Sequence, residues 1–180
     1  MKTFHNPHHA GHVGQQEMFR GRMVACHEVP ARLDFVLAEL QRRPLGPLAP
    51  PAVDAAALDA AIARVHGARY LAFLATAWDD WVAMDPANSQ RDALPSVWPL
   101  ANRHGFRHDV LPHNFAARLG LFSFDSGSPL TAGTWAAARG GAACALAAAQ
   151  TVAGGERSAF ALTRPPGHQA APDFLGGYCF

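Results

Sequence analysis

The chain has 180 residues, of which 49% are apolar and 16% charged, with a formal net charge of +1. This is enough apolar material for a packed core, at a length suited to one domain or a piece of a larger one. So even a charge balance, with no basic run interleaved with aromatics, argues against nucleic acid and acidic membranes as partners.

Met1 to Phe4 is predicted as a first strand. A histidine-rich loop follows, with His5, His8, His9 and His12 around Pro7 and Gly11. Three readings stay open for it: an independent metal site, a loop facing substrate or an interface, and a plain solvated loop. Pro30 to Arg43 is a predicted helix. Pro30 suits its first turn, Leu33, Val36, Leu37 and Leu40 form one apolar face, and Arg42-Arg43 lies at the end that favours cations. Pro44 to Pro51 reads as a linker within the domain. Asp54 is placed to cap a helix from Ala55 to His66, with Leu58, Ile62 and Val65 on its core side and Gly67 ending it. Ala68 to Met84 is a third helix, and its stripe of Tyr70, Leu71, Leu74, Trp78 and Trp81 reads as core.

Asp85 to Thr131 lacks clear periodicity and carries five prolines. Stretches of that length in compact domains are often lids or binding loops. Within it, Asp125 is either an acid facing a cationic or amide-bearing substrate tail or the acid of an Asx-turn beside Gly127. His104, His108 and His113 lack a partner motif and read as surface residues. Gly133 to Val152 is the fourth helix, with Thr131 or Thr134 as its cap and Gly140-Gly141 allowing close packing against a sheet. It is alanine-dominated and contains Arg139 and Gln150, so it reads as a buried helix and not a membrane span.

Cys26, Cys144 and Cys179 are odd in number and widely spaced. With no apolar leader after Met1, they point to reduced thiols and a cytoplasmic chain. Cys144 reads as a small core residue. No P-loop, dinucleotide glycine fingerprint or nucleophile elbow is present.

The chemistry concentrates in the last seventeen residues. Ser158 to Thr163 follows the turn signal Gly154-Gly155 and reads as a buried strand of a parallel sheet. Pro165-Pro166 stiffens the exit from that strand, and Gly167 can turn His168 away from the sheet. Ligands of open α/β sheets bind outside the carboxyl ends of strands, which is where His168 and Gln169 are expected. Gly176 and Gly177 let a substrate approach their backbone, and Tyr178 would form one wall of a narrow slot.

Arg164-Pro165-Pro166-Gly167-His168-Gln169-Ala170 followed by Gly176-Gly177-Tyr178-Cys179 resembles the arginase–deacetylase superfamily. Its deacetylases carry Arg-Pro-Pro-Gly-His-His-Ala and then Gly-Gly-aromatic-Cys. Val65-His66, Tyr70 to Leu74, Thr76-Ala77-Trp78, Ala93 to Pro99 and Ala132 to Trp135 are similar to the acetylpolyamine amidohydrolase branch. His27 to Arg32 fits the family's Glu-x-Pro-x-Arg pattern. The resemblance implies an α/β fold, a parallel sheet flanked by helices, truncated after its N-terminal half. Residues 1–180 would be the N-terminal portion of a single deacetylase-like domain. It also implies zinc in the full-length enzyme and a small acetylated amine or acyl-lysine as substrate. The N-terminal loop would be an entrance loop through which a homo-oligomer forms.

Two departures qualify that implication. The family's second histidine, the base that takes a proton from a metal-bound water, is Gln169 here. An imidazole with a pKa of about 6.5 can do this near neutral pH, and a primary amide cannot. Losing a positioned base costs about 10²–10⁴-fold in rate. The family's zinc ligands, an Asp-x-His pair and a later Asp, fall downstream of Phe180, so no zinc is expected to be bound by this chain alone. The expected function is the N-terminal portion of a zinc-dependent amidohydrolase acting on acetylpolyamines or acyl-lysine-like amides, inactive by itself. His168 and Gln169 would stand at the catalytic position, with Gly177, Tyr178 and Asp125 at the substrate. The alternative is a non-catalytic remnant or assembly partner that retains the scaffold.

Overall fold

The computed structural model describes residues 1–96 and 110–180. In chain order its strands and α-helices are β1 (Lys2–His5), β2 (Gln16–Phe19), β3 (Arg22–Ala25), α1 (Ala31–Arg42), β4 (Leu48–Ala49), α2 (Ala55–Ala63), α3 (Ala68–Met84), α4 (Phe115–Leu121), α5 (Thr134–Ala153) and β5 (Ala159–Leu162). They fall into two compact units. One comprises Met1–Val13, Glu28–Val65 and Gly133–Pro166; the other comprises Gly14–His27, His66–Ala132 and Gly167–Phe180.

The first unit holds the parallel sheet, in the order β4-β1-β5. Thr3 stands opposite Leu48 on one side of β1, and Lys2 to His5 run in register with Ala159 to Leu162 on the other. The apolar side chain of Phe4 faces Cys144 and Ala147 of α5, with Val53, Ala148, Ala159 and Ala161 packed around them. Cys144 is the small core residue its surroundings predicted, and burial pushes its thiol up to about 11. Helix α5 comes this close because Gly140 lies against the Asn6 side chain and Gly141 against Thr163. A Cβ at Gly140 would overlap the Asn6 carboxamide, which is itself buried and donates to Ala137 O at 2.7 Å and Arg164 O at 2.8 Å. The strand exit is fixed as well. Arg164 is buried, with its Nε 2.8 Å from Glu28 Oε2 and its Nη2 donating to Glu28 O at 3.1 Å. Removing one partner of such a buried pair costs about 3–5 kcal/mol.

Several elements differ from expectation. The linker 44–51 contains β4, two residues whose pairing with β1 replaces any local signal. Helix α2 stops at Ala63, short of His66, although Asp54 Oδ1 does accept from Ala57 N at 2.9 Å as its cap. Of the apolar face expected on α1, only Leu33 is buried; Val36 is 40% exposed, and Leu37 and Leu40 are half-buried. Neither threonine caps α5. Gly133 holds the cap position, where a Cβ would meet the backbone of Gly11, and Thr134 Oγ1 lies 2.9 Å from His12 Nδ1. Strand β5 is half-exposed and not fully buried, because β1 is its only neighbour among the described residues.

The histidine-rich loop is not simply solvated, since His9 and His12 are both buried. Burial lowers His12 to about 3, reinforced by Arg164, and lowers His9 despite Asp34 at 3.5 Å.

The second unit is built on α3 and α4. Tyr70, Phe73, Leu74 and Ala77 form the buried face of α3, so its centre lies nearer Phe73 and Ala77 than the expected tryptophans. Phe73 stacks on Phe122 at 4.8 Å and Trp81 on Phe115 at 5.7 Å between ring centroids. The stretch from Asp85 is more ordered than its lack of periodicity suggests. A 3-10 turn at Pro86–Gln90 is capped by Asp85, and α4 is capped by Asn114, whose Oδ1 accepts from Ala117 N at 3.1 Å. His113 is exposed, as expected. His104, His108 and Val97-Trp98-Pro99 lie outside the described residues. The hairpin β2–β3 pairs Gln16 with Ala25 through Phe19 with Arg22. Its two-residue loop, Arg20-Gly21, has φ of 50° and 77°, the left-handed pair that joins twisted antiparallel strands.

Candidate active site

The expected site residues come together in the second unit. Ala170 N donates to Gly167 O at 3.1 Å, closing a turn that carries His168 and Gln169 at its two central positions. Both side chains are exposed. The segment after this turn is tied back to the start of α3: Gly67 N donates to Pro172 O at 2.9 Å, and His66 Nδ1 lies 3.0 Å from Ala171 O.

A second tight turn forms the opposite side. Gly176 and Cys179 exchange two backbone hydrogen bonds of 3.0 Å, leaving Gly177 and Tyr178 at its centre with φ of 58° and 65°. Glycine adopts that region freely, whereas for tyrosine it costs about 1–2 kcal/mol. The loop after Phe122 holds the turn in place. Gly177 N donates to Asp125 Oδ2 at 2.6 Å, and Tyr178 N donates to Ser128 Oγ at 2.8 Å. Asp125 Oδ1 also accepts from Gly127 N at 3.2 Å, so the Asx-turn geometry is present.

The two turns meet at Cys179. Its buried Sγ accepts from Gln169 N at 3.3 Å and lies 3.9 Å from His168 Nδ1. The Gln169 carboxamide packs directly over Gly177, leaving no room for a Cβ there. An exposed imidazole and the backbone of Gln169 thus meet at one thiol, and the neighbouring phenol is held by its hydroxyl on Glu17. The imidazole can take or give a proton; the Gln169 carboxamide can only orient a ligand.

Two contributors were missed by sequence reasoning. Ser128 is fully buried beneath the Tyr178 amide. Glu17 is 1% exposed and accepts from the Tyr178 hydroxyl at 2.8 Å through Oε1. Alternation through the hairpin around Arg20-Gly21 puts Glu17 on the same inward face as Val24, and an acid there must have a partner. Burial first, and then the Glu17 carboxylate, push Tyr178 up to about 12.

The resemblance calls for zinc. Among the described residues, no three His, Cys, Asp or Glu side chains gather closely enough to hold a metal ion, whether beside His168 or in the N-terminal loop. The donor set present does not fit that ion.

The chain is similar to known proteins. Acetylpolyamine amidohydrolases 2 and 1 of Pseudomonas aeruginosa are each 39% identical to the chain over all 180 residues, which span 49% and 50% of those proteins. The crystal structure of acetylpolyamine aminohydrolase from Burkholderia pseudomallei matches the whole chain with a TM-score of 0.85 at 31% identity, over 49% of its own length. The chain thus spans about half the length of the relatives it matches, with the same parallel sheet flanked by helices. The histone deacetylase domain profile matches residues 26–180, which carry α1 to α5, the last two strands, and both turns that meet at Cys179. From that match and those relatives, this chain belongs to the histone deacetylase family.

Proposed function

We propose that residues 1–180 are the N-terminal portion of a single deacetylase-like domain that removes acetyl groups from acetylpolyamines or acyl-lysine-like amides. The observation carrying this reading is the pair of turns meeting at Cys179, which puts His168, Gln169 and Tyr178 in one constellation within a deacetylase-family match. In this reading His168 is the acid/base or electrostatic helper. Gln169 orients the amide and itself covers Gly177, closing the backbone approach expected there, and Tyr178 lines the acyl slot. Asp125 supports that wall through Gly177 N and adds negative charge favourable to an amine-bearing tail. Zinc, when bound, would supply Lewis-acid activation, and its ligands would have to come from beyond the described residues.

Gln169 favours a second reading, a scaffold retained for assembly without turnover, because an amide cannot serve as the missing base. One assay tests the expected inactivity and the scaffold reading together. The purified 180-residue chain is incubated with zinc and with an acetylated polyamine or an acetyl-lysine peptide, and bound zinc and released acetate are measured. No turnover and no stoichiometric zinc is the outcome expected for the chain alone. Turnover with one zinc per chain would refute both its expected inactivity and the scaffold reading.

A further inference from the structure

We propose that Glu17 is a positioning residue for the slot: its buried carboxylate, carried on β2, fixes the Tyr178 ring by accepting the phenolic hydrogen bond. The inference deepens the reading of Tyr178 as a slot wall and rests on it.

Tyr178 is held at both ends. Its backbone sits in the left-handed region, with its N–H on Ser128 Oγ and the preceding N–H on Asp125. Those bonds fix the backbone but leave the side-chain torsions free. The 2.8 Å bond from the hydroxyl to Glu17 Oε1 removes that freedom at the far end. Glu17 is anchored in turn. Its Oε2 accepts from His27 N at 3.1 Å, and the His27 Nε2 lies 3.9 Å from Oε1. A buried carboxyl needs such partners, and here they come from His27, just beyond β3, and from the turn at Gly177. The hydroxyl donates its single proton to Glu17, which leaves the ring surface to face a ligand. Specificity at this wall would then be a matter of shape and ring orientation. Besides Glu17, the groups that act on Tyr178 electrostatically are Asp125 and Cys26.

The sequence contains two tyrosines, so ring-labelled ¹³C-tyrosine in the 180-residue chain gives one resonance for Tyr178 and one for Tyr70 as internal control. Glu17→Ala is expected to shift or broaden the Tyr178 signal and to lower its alkaline titration midpoint from about 12 toward the ordinary value of about 10. Glu17→Gln keeps an acceptor but loses the charge, so the ring signal recovers while the midpoint still falls. A Tyr178 signal and midpoint unmoved by Glu17→Ala, with Tyr70 in place, overturn the proposal. If the alanine variant does not fold, Glu17→Leu, which keeps bulk but removes the acceptor, gives the same readout, and an unmoved ring signal there overturns it equally. In a catalytically competent form of the protein, Glu17→Ala should raise KM about tenfold and leave kcat within about twofold, as for lost orientation of a bound group. A loss confined to kcat would place Glu17 in the chemical step and overturn the positioning role. If the tyrosine signals respond but no form turns over, the amidohydrolase reading fails while the Glu17 contact stands.

Discussion

His12 is neutral in the folded chain because its burial makes protonation costly, with Arg164 adding repulsion. Its folded pKa of about 3 lies below the unfolded value of about 6.5. The unfolded chain therefore binds more protons in the interval between them. The stability this histidine contributes is complete above pH 6.5 and is lost as pH falls toward 3. His9, also lowered by burial, acts in the same direction. The expected outcome is a loss of about 1.4 kcal/mol per pH unit below 6.5 from His12, read by urea unfolding between pH 7.5 and 5. His12→Gln should flatten that slope; an unchanged slope would show that His12 is not the group responsible. The loop that holds these histidines was legible from its composition. Their burial was not, because it depends on Thr134 and Arg164, more than a hundred residues away in the chain. At the C-terminal end the pattern of residues was more telling. Proline, glycine and histidine in that order implied a turn presenting a polar pair, and the turn at Gly167 does so. What the order did not convey was the partner, since Cys179 as the meeting point of both turns needs coordinates.

Helices with strong local signals were readable, and short paired elements were not. Asp54 announced α2 because an aspartate oxygen placed to accept from an N–H three residues on is a local device. Strand β4 has two residues and no pattern of its own, so only β1 defines it. Helix α1 shows the opposite error. Its periodicity was real, yet Val36 remains exposed, because an apolar stripe says which face can be buried and not that a neighbour covers it. At the sheet edge, β5 has Phe160 on its exposed side and is a candidate for pairing with another chain. Phe160→Lys should lower self-association in light scattering at equal concentration, with stability changed by less than about 0.5 kcal/mol. Undiminished scattering would mean that some other surface drives association.

A chain spanning about half of its relatives carries a three-stranded parallel sheet, an architecture that is ordinarily covered on both faces. With a formal charge of only +1, little electrostatic repulsion keeps copies apart. The 180-residue chain is therefore expected to bind a hydrophobic dye and to sediment partly as oligomers at neutral pH; a monodisperse species that excludes the dye would contradict this. The C-terminal motif of the family was legible because it lies where the chain must turn sharply, and turn chemistry leaves its mark on residue type. The network behind Tyr178 was hidden because its members, Glu17, Asp125 and Ser128, come from separate stretches with no spacing to link them.

All three sulfhydryls are buried, Cys144 in the unit that carries the parallel sheet and Cys26 and Cys179 in the other, and none is joined in a disulfide. A thiol-trapping reagent can react with them only when the surrounding backbone opens. Peptide mapping after a short pulse of such a reagent would then time the loosening of each half of the chain separately, with no engineered label required.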